Sequence, residues 1–167
     1  GTGGFGTVTT PTAVVGLTGA TAVEVGGASV CALIADGTVK CWGGDEGLGD
    51  GSTGNSAVPV TVAGITDAVS IESSGAHTCA VLVTGRVRCW GFAVRRSPVS
   101  GSDTRPIYRT PVEVADITDA VTQSLDWVLL ADGTVRFLGI DDGSAFEAPV
   151  TSSQVVGVAG ATQLDRY

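Results

Sequence analysis

Apolar and polar residues alternate over short runs along this chain. "TAVEVGG", "SVCALIADGTVKCWG" and "HTCAVLVTGRVRCWG" each swap Val, Ala or Cys with polar or small residues, and Gly or Pro closes each run. Alternation over runs of this length is the mark of half-buried strands, and Gly, Pro and Asp between them mark turns. No stretch of ten or more residues carries a convincing 3.6 period. The pattern predicts an all-β chain of many short strands.

The strands recur in order. Pro11, Pro59 and Pro111 open "PTAVVGL", "PVTVAGI" and "PVEVADI". Two longer phrases then align without a gap. Cys31 to Cys79, Cys41 to Cys89 and Trp42 to Trp90 all differ by 48. A third copy, "TDAVTQSLDWVLLADGTVRFLG", is about four residues shorter before its turn, and a fourth begins at "GVAGATQLDRY". The expected units are the end of a preceding blade at 1–18, repeat 1 at 19–65, repeat 2 at 66–117, a divergent repeat 3 at 118–157, and the start of a fourth at 158–167. A period near 50 residues with several strands per unit is propeller-like.

The motifs "GAHTCAVL", "DGTVKCWG" and "GDEGLGDGS", followed by "PVTV", resemble the regulator of chromosome condensation repeat in its bacterial, cysteine-containing form. The resemblance covers nearly the whole chain. It implies a β-propeller, most often seven-bladed, with four-stranded blades. Seven such blades need roughly twice the present length. The expectation is therefore a partial propeller of about three blades, open at both ends. Further blades or subunits would complete the ring. The chain opens on Gly1 and has no Met, which reads as a processed, excised or incomplete product.

Cys31 and Cys41 flank Ala35-Asp36-Gly37. A three-residue hairpin loop with Gly in the left-handed position pairs Leu33 with Val39, Ala32 with Lys40, and Cys31 with Cys41. Alternation places the Cys pair at a non-hydrogen-bonded site, where Cα atoms lie about 4.5 Å apart, within reach of a disulfide. Cys79 and Cys89 repeat this around Val83-Thr84-Gly85. In the third copy both positions change together, to Trp127 and Phe137, as a cross-strand pair would. Free buried thiols are one rival. Zinc is another, but its ligand pairs would sit in different blades at a spacing unlike a knuckle. Disulfides point to a secreted, periplasmic or cell-surface protein.

Chemistry beyond this is sparse. His77 is the sole histidine, and its equivalents are Ser29 and Leu125. The resemblance makes it a structural signature residue. Trp42 and Trp90 recur at a strand end, a pattern of core packing. No cofactor and no enzyme activity are expected. Asp45, Glu46 and Asp50 in a Gly-rich loop are weak Ca²⁺ candidates, and Asp141 and Asp142 lie in a similar place. The plainer reading of such residues is a solvated turn.

The second copy replaces that acidic loop with "FAVRRSPVSGSDTRPIYRT", Phe92 to Thr110. From Thr66 to Val112 there are six basic and three acidic residues, a net of +3 within a chain of −8. Phe92, Arg95, Arg96, Arg105, Tyr108 and Arg109 are the candidate partner-binding residues, because repeat folds vary their loops for specificity and Arg, Tyr and Phe favour contact centres. The overall acidity argues against nucleic acid, and no apolar run of membrane-spanning length exists. The expected function is a non-enzymatic extracellular propeller segment that binds a protein partner or scaffolds an assembly. The family includes nucleotide-exchange, inhibitor and light-receptor proteins, so the fold alone does not select a role. The alternatives are a Ca²⁺- or carbohydrate-binding adhesion module, and a non-catalytic part of a larger secreted enzyme.

Overall fold

The computed structural model describes residues 1–44, 47–75, 77–92, 107–138 and 160–164, together with the strand backbone at 153–154. Three antiparallel sheets of four strands follow one another along the chain. Blade 1 holds β1 (Ala20–Val25), β2 (Ser29–Ile34), β3 (Val39–Gly43) and β4 (Ser56–Thr61). Blade 2 holds β5 (Ala68–Ser73), β6 (His77–Leu82), β7 (Val87–Phe92) and β8 (Ile107–Glu113). Blade 3 holds β9 (Ala120–Ser124), β10 (Trp127–Leu130), β11 (Val135–Phe137) and β12 (Ser153–Gln154). Each sheet runs in sequence order, and none closes into a barrel. This is the all-β, partial-propeller architecture that the repeat implied.

The central hairpins carry the expected register. Leu33 faces Val39, Ala32 faces Lys40 and Cys31 faces Cys41. Val81 and Val87, then Cys79 and Cys89, repeat it in blade 2. The three-residue turns end on Gly37 and Gly85 at φ 82° and 76°, a region that L side chains avoid. These glycines have a second reason to be glycine. A Cβ on Gly85 would lie 2.7 Å from Thr118 O and 2.9 Å from Asp119 Cα. The turn of one blade touches the backbone that opens the next.

Hydrogen bonds fix that contact and repeat with the sequence. Gly37 O accepts from Ala68 N at 3.0 Å, and Gly85 O accepts from Ala120 N at 2.9 Å. Gly133 O accepts from Ala161 N at 3.1 Å. The basic residue on the third strand adds a clamp at the outer edge. The Arg88 guanidinium donates to Gly64 O at 3.0 Å, and that of Arg136 to Asp116 O at 3.3 Å.

Apolar side chains fill the spaces between blades. One cluster joins Leu33, Val39, Leu48 and Ile65 of blade 1 to Ile71, Ala80, Leu82 and Trp90 of blade 2. A second joins Cys79, Val81, Val87 and Ile117 to Val128, Leu130 and Leu138 of blade 3. Each blade thus buries its faces only against its neighbours, as in other repeat folds.

Candidate functional site

The cysteines form two cross-strand disulfides, Cys31–Cys41 and Cys79–Cys89, with Cα atoms 4.1 Å apart in both. All four are buried, and no free cysteine remains. Neither zinc nor a thiol nucleophile is available from them. At the same register in blade 3, Trp127 faces Phe137. Their ring centroids are 4.9 Å apart and the planes tilt by 57°.

His77 lies at the junction of blades 2 and 3. Its Nε2 is 2.9 Å from Asp126 Oδ1, and its Nδ1 is 2.9 Å from Ser74 Oγ. The order Ser, His, Asp matches that of a hydrolytic triad. The placement does not. The His77 residue is only 5% exposed, and Ser74 Oγ is also 3.1 Å from Nε2. A general base must reach a substrate or leaving group. Here the ring is packed between strands and ties the β9–β10 turn to blade 2. His77 is a clamp, and the resemblance already gave it a structural part. Asp126 as its partner was not legible, because the two residues lie in different repeats.

The Gly-rich loop of blade 1 packs inward. Leu48 is buried in the cluster between blades 1 and 2. A Cβ on Gly49 would lie 2.8 Å from the ring of Trp90. Trp90 itself is fully buried. Gly1 takes the same place against Trp42, as the offset of 48 requires. Asp50 Oδ1 accepts from Ser52 N at 3.0 Å, an Asx turn. Asp45 and Glu46, like Asp141 and Asp142, lie outside the described residues. No group of three potential metal ligands occurs among the described residues.

The candidate contact stretch is described only at its ends. Arg95, Arg96 and Arg105 lie outside the described residues. Phe92 ends β7 opposite Ile107, and Tyr108 faces Gly91. Burial pushes the Tyr108 phenol up from its ordinary value. The Arg109 guanidinium donates to Ser52 O at 3.1 Å, and Arg109 O accepts from Gly51 N at 2.8 Å. Arg109 therefore secures the blade 1 loop against blade 2. Among the described residues no helix is long and apolar enough to cross a membrane.

The structure also shows what the sequence reading passed over. Lys40, Arg88 and Arg136 recur at a spacing of 48, and that spacing was the available signal for the outer clamp. Leu125 adopts φ 52°. Only the missing four residues of the third copy hinted at so tight a turn.

Residues 68–92 match the family model described as "Regulator of chromosome condensation (RCC1) repeat". No curated protein matches the sequence. The fold resembles the crystal structure of human WBSCR16, with a TM-score of 0.62 at 18% identity, over 82% of this chain and 38% of that one. Yeast RCC1 (Prp20), solved with Kap60 bound, gives 0.51 at 22% identity, over 68% of this chain and 30% of that one. Prp20p from Saccharomyces cerevisiae, a protein with binding properties to Gsp1p and histones, gives 0.52 at 23% identity, over 68% and 31%. The chain spans about a third of the length of these solved structures.

Proposed function

We propose that this chain, a partial propeller carrying the RCC1 repeat, is a non-enzymatic extracellular binding segment whose Phe92–Thr110 stretch contacts a protein partner. One observation carries the reading. The blade scaffold repeats from hairpin to hairpin, whereas the stretch after β7 abandons the repeat and brings Arg95, Arg96 and Arg105 into an acidic chain. A repeated framework with one divergent loop is how such folds place specificity. Protein binding is also a property of a structural neighbour, Prp20, which is seen with Kap60. Two disulfides suit an oxidising compartment.

An Arg-rich stretch on an acidic body steers an acidic partner, and the steering weakens as salt shortens the Debye length to about 8 Å. The test compares wild-type protein with Arg95→Ala/Arg96→Ala as immobilised bait for extracellular proteins, across a salt series. The reading expects a partner held by wild type at low salt, released as salt rises, and lost with the variant. Equal retention by both proteins would reduce the stretch to a tolerated insertion.

A further inference from the structure

The β9–β10 hairpin turns on only two residues, Leu125 and Asp126, with Ser124 facing Trp127 across it. Two-residue hairpins need positive φ at their first loop position, where glycine is favoured. Leu125 fills that position at φ 52°, and it is the one non-glycine residue at positive φ among the described residues. The corresponding loops of blades 1 and 2 contain Gly26, Gly27 and Gly75. Burial does not compensate for the conformation, since Leu125 is 40% exposed. Trp127 beside it is 41% exposed, with its ring held against Phe137. The turn is locked from both sides. Asp126 contacts His77 of blade 2, and Asp126 O accepts from Leu138 N at 2.7 Å. A strained residue that displays an apolar side chain from a rigid turn points to a contact made outside the chain. Pre-ordered aromatic and aliphatic groups are suited to anchoring one.

We infer that Leu125 and Trp127 anchor a head-to-tail contact with a second copy of this chain, seated on the Val23 face of that copy's blade 1. The inference rests on reading the molecule as a binding scaffold. Two observations select the occupant. Val23 is 52% exposed, although its equivalent in blade 2, Ile71, is 3% exposed in the packing against blade 1. Blade 1 therefore presents an apolar face of the kind that this fold buries. Charge is complementary as well. Residues 1–65 carry five acidic residues and one basic, a net of −4, against +3 for residues 66–112. Trp127 starts β10 at the same end of the blades where Phe92 ends β7 and Ile107 starts β8. The basic stretch thus leaves and rejoins its blade at the end that carries the anchor. A contact between two different surfaces is heterologous and builds a ring or a chain of copies.

Trp42 and Trp90 are buried, so acrylamide quenching of tryptophan fluorescence reports mainly on Trp127. Sedimentation velocity should show association that grows with concentration, with Trp127 protected in parallel. Leu125→Gly restores the residue that the turn prefers, so it should keep or raise Tm while abolishing association. Val23→Asp should also be monomeric. Mixing the two variants should restore a heterodimer, because each supplies the surface that the other lacks. A wild-type protein that stays monomeric at every concentration overturns the inference. So does association that leaves Trp127 quenchable, or a Leu125→Gly variant that associates like wild type. Protection of Trp127 only by a foreign acidic protein or a sugar would assign the patch to another occupant and also overturn it. Loss of a foreign partner on Arg95→Ala/Arg96→Ala is read separately, so the scaffold reading can stand while this contact falls.

Discussion

Trp127 and Phe137 face each other across β10 and β11 at the register that holds a disulfide in each of the other two blades. The same mirror positions about the turn carry a covalent pair twice and an aromatic pair once. The hairpin frame is therefore common to all three blades, and only the link between its strands changes. Substituting both residues, Trp127→Cys and Phe137→Cys, should create a third bridge. Thiol titration under denaturing, non-reducing conditions should then find no free thiol. Two free thiols per chain would mean that blade 3 does not share the frame. The gain in stability should be small. A bridge of this loop length contributes about 2–3 kcal/mol at most, and loss of the aromatic pair offsets about 0.5–1.5 kcal/mol.

The turn glycines separate backbone strain from contact between blades. Gly75 and Gly85 both have positive φ, 91° and 76°. A Cβ on Gly75 meets nothing within 4 Å, whereas one on Gly85 meets the Thr118 and Asp119 backbone at under 3 Å. Gly75→Ala should lose about 1–2 kcal/mol from conformation alone. Gly85→Ala should lose more, about 3 kcal/mol or above, because blade 3 must also shift. Denaturant unfolding of the two variants checks the order. Equal losses would show that the turn does not bear on the next blade.

Acid should loosen the hairpins of blades 1 and 3 but not that of blade 2. Asp36 Oδ1 accepts from the Thr38 hydroxyl at 2.6 Å and from Thr38 N at 2.9 Å, and Asp132 and Thr134 repeat this at 2.7 and 2.8 Å. In each case the threonine hydroxyl first, and its backbone N–H second, hold the carboxyl below 3.8. Blade 2 has Thr84 at this position. A carboxylate with a lowered folded-state value contributes fully above its unfolded value. That contribution is lost as pH falls from 3.8 through the lower folded value. Stability near neutral pH should be indifferent to these groups. Thermal unfolding of Asp36→Asn/Asp132→Asn should decline less steeply than wild type below that point. A parallel acid decline in the two proteins would contradict this role.

The fold was readable because its determinants are local and repeated. Alternation marked the strands, the glycines marked the turns, and the offset of 48 fixed the register of Cys31 with Cys41 and Cys79 with Cys89. Contacts between blades were harder to read. His77 with Asp126, and Arg109 with Ser52, join residues of different repeats, and no spacing rule relates them. The backbone of Leu125 was hidden for a different reason. Leucine has no intrinsic preference for positive φ, so only the shortened loop in the assembled blade imposes it. Arg109 entered the reading as a contact residue on charge alone. The structure gives its guanidinium a carbonyl within the chain, so it also has a structural part.

The central claim is a row of propeller blades whose hairpins are stapled outside the reducing cytosol, and peptide mapping tests it most directly. The protein would be purified from an oxidising compartment without thiols, alkylated, digested and analysed unreduced. The account predicts two crosslinked species, Cys31 with Cys41 and Cys79 with Cys89, each bridging positions ten residues apart. Crosslinks between blades, such as Cys41 with Cys79, or four alkylated free thiols, would contradict both the register and the compartment.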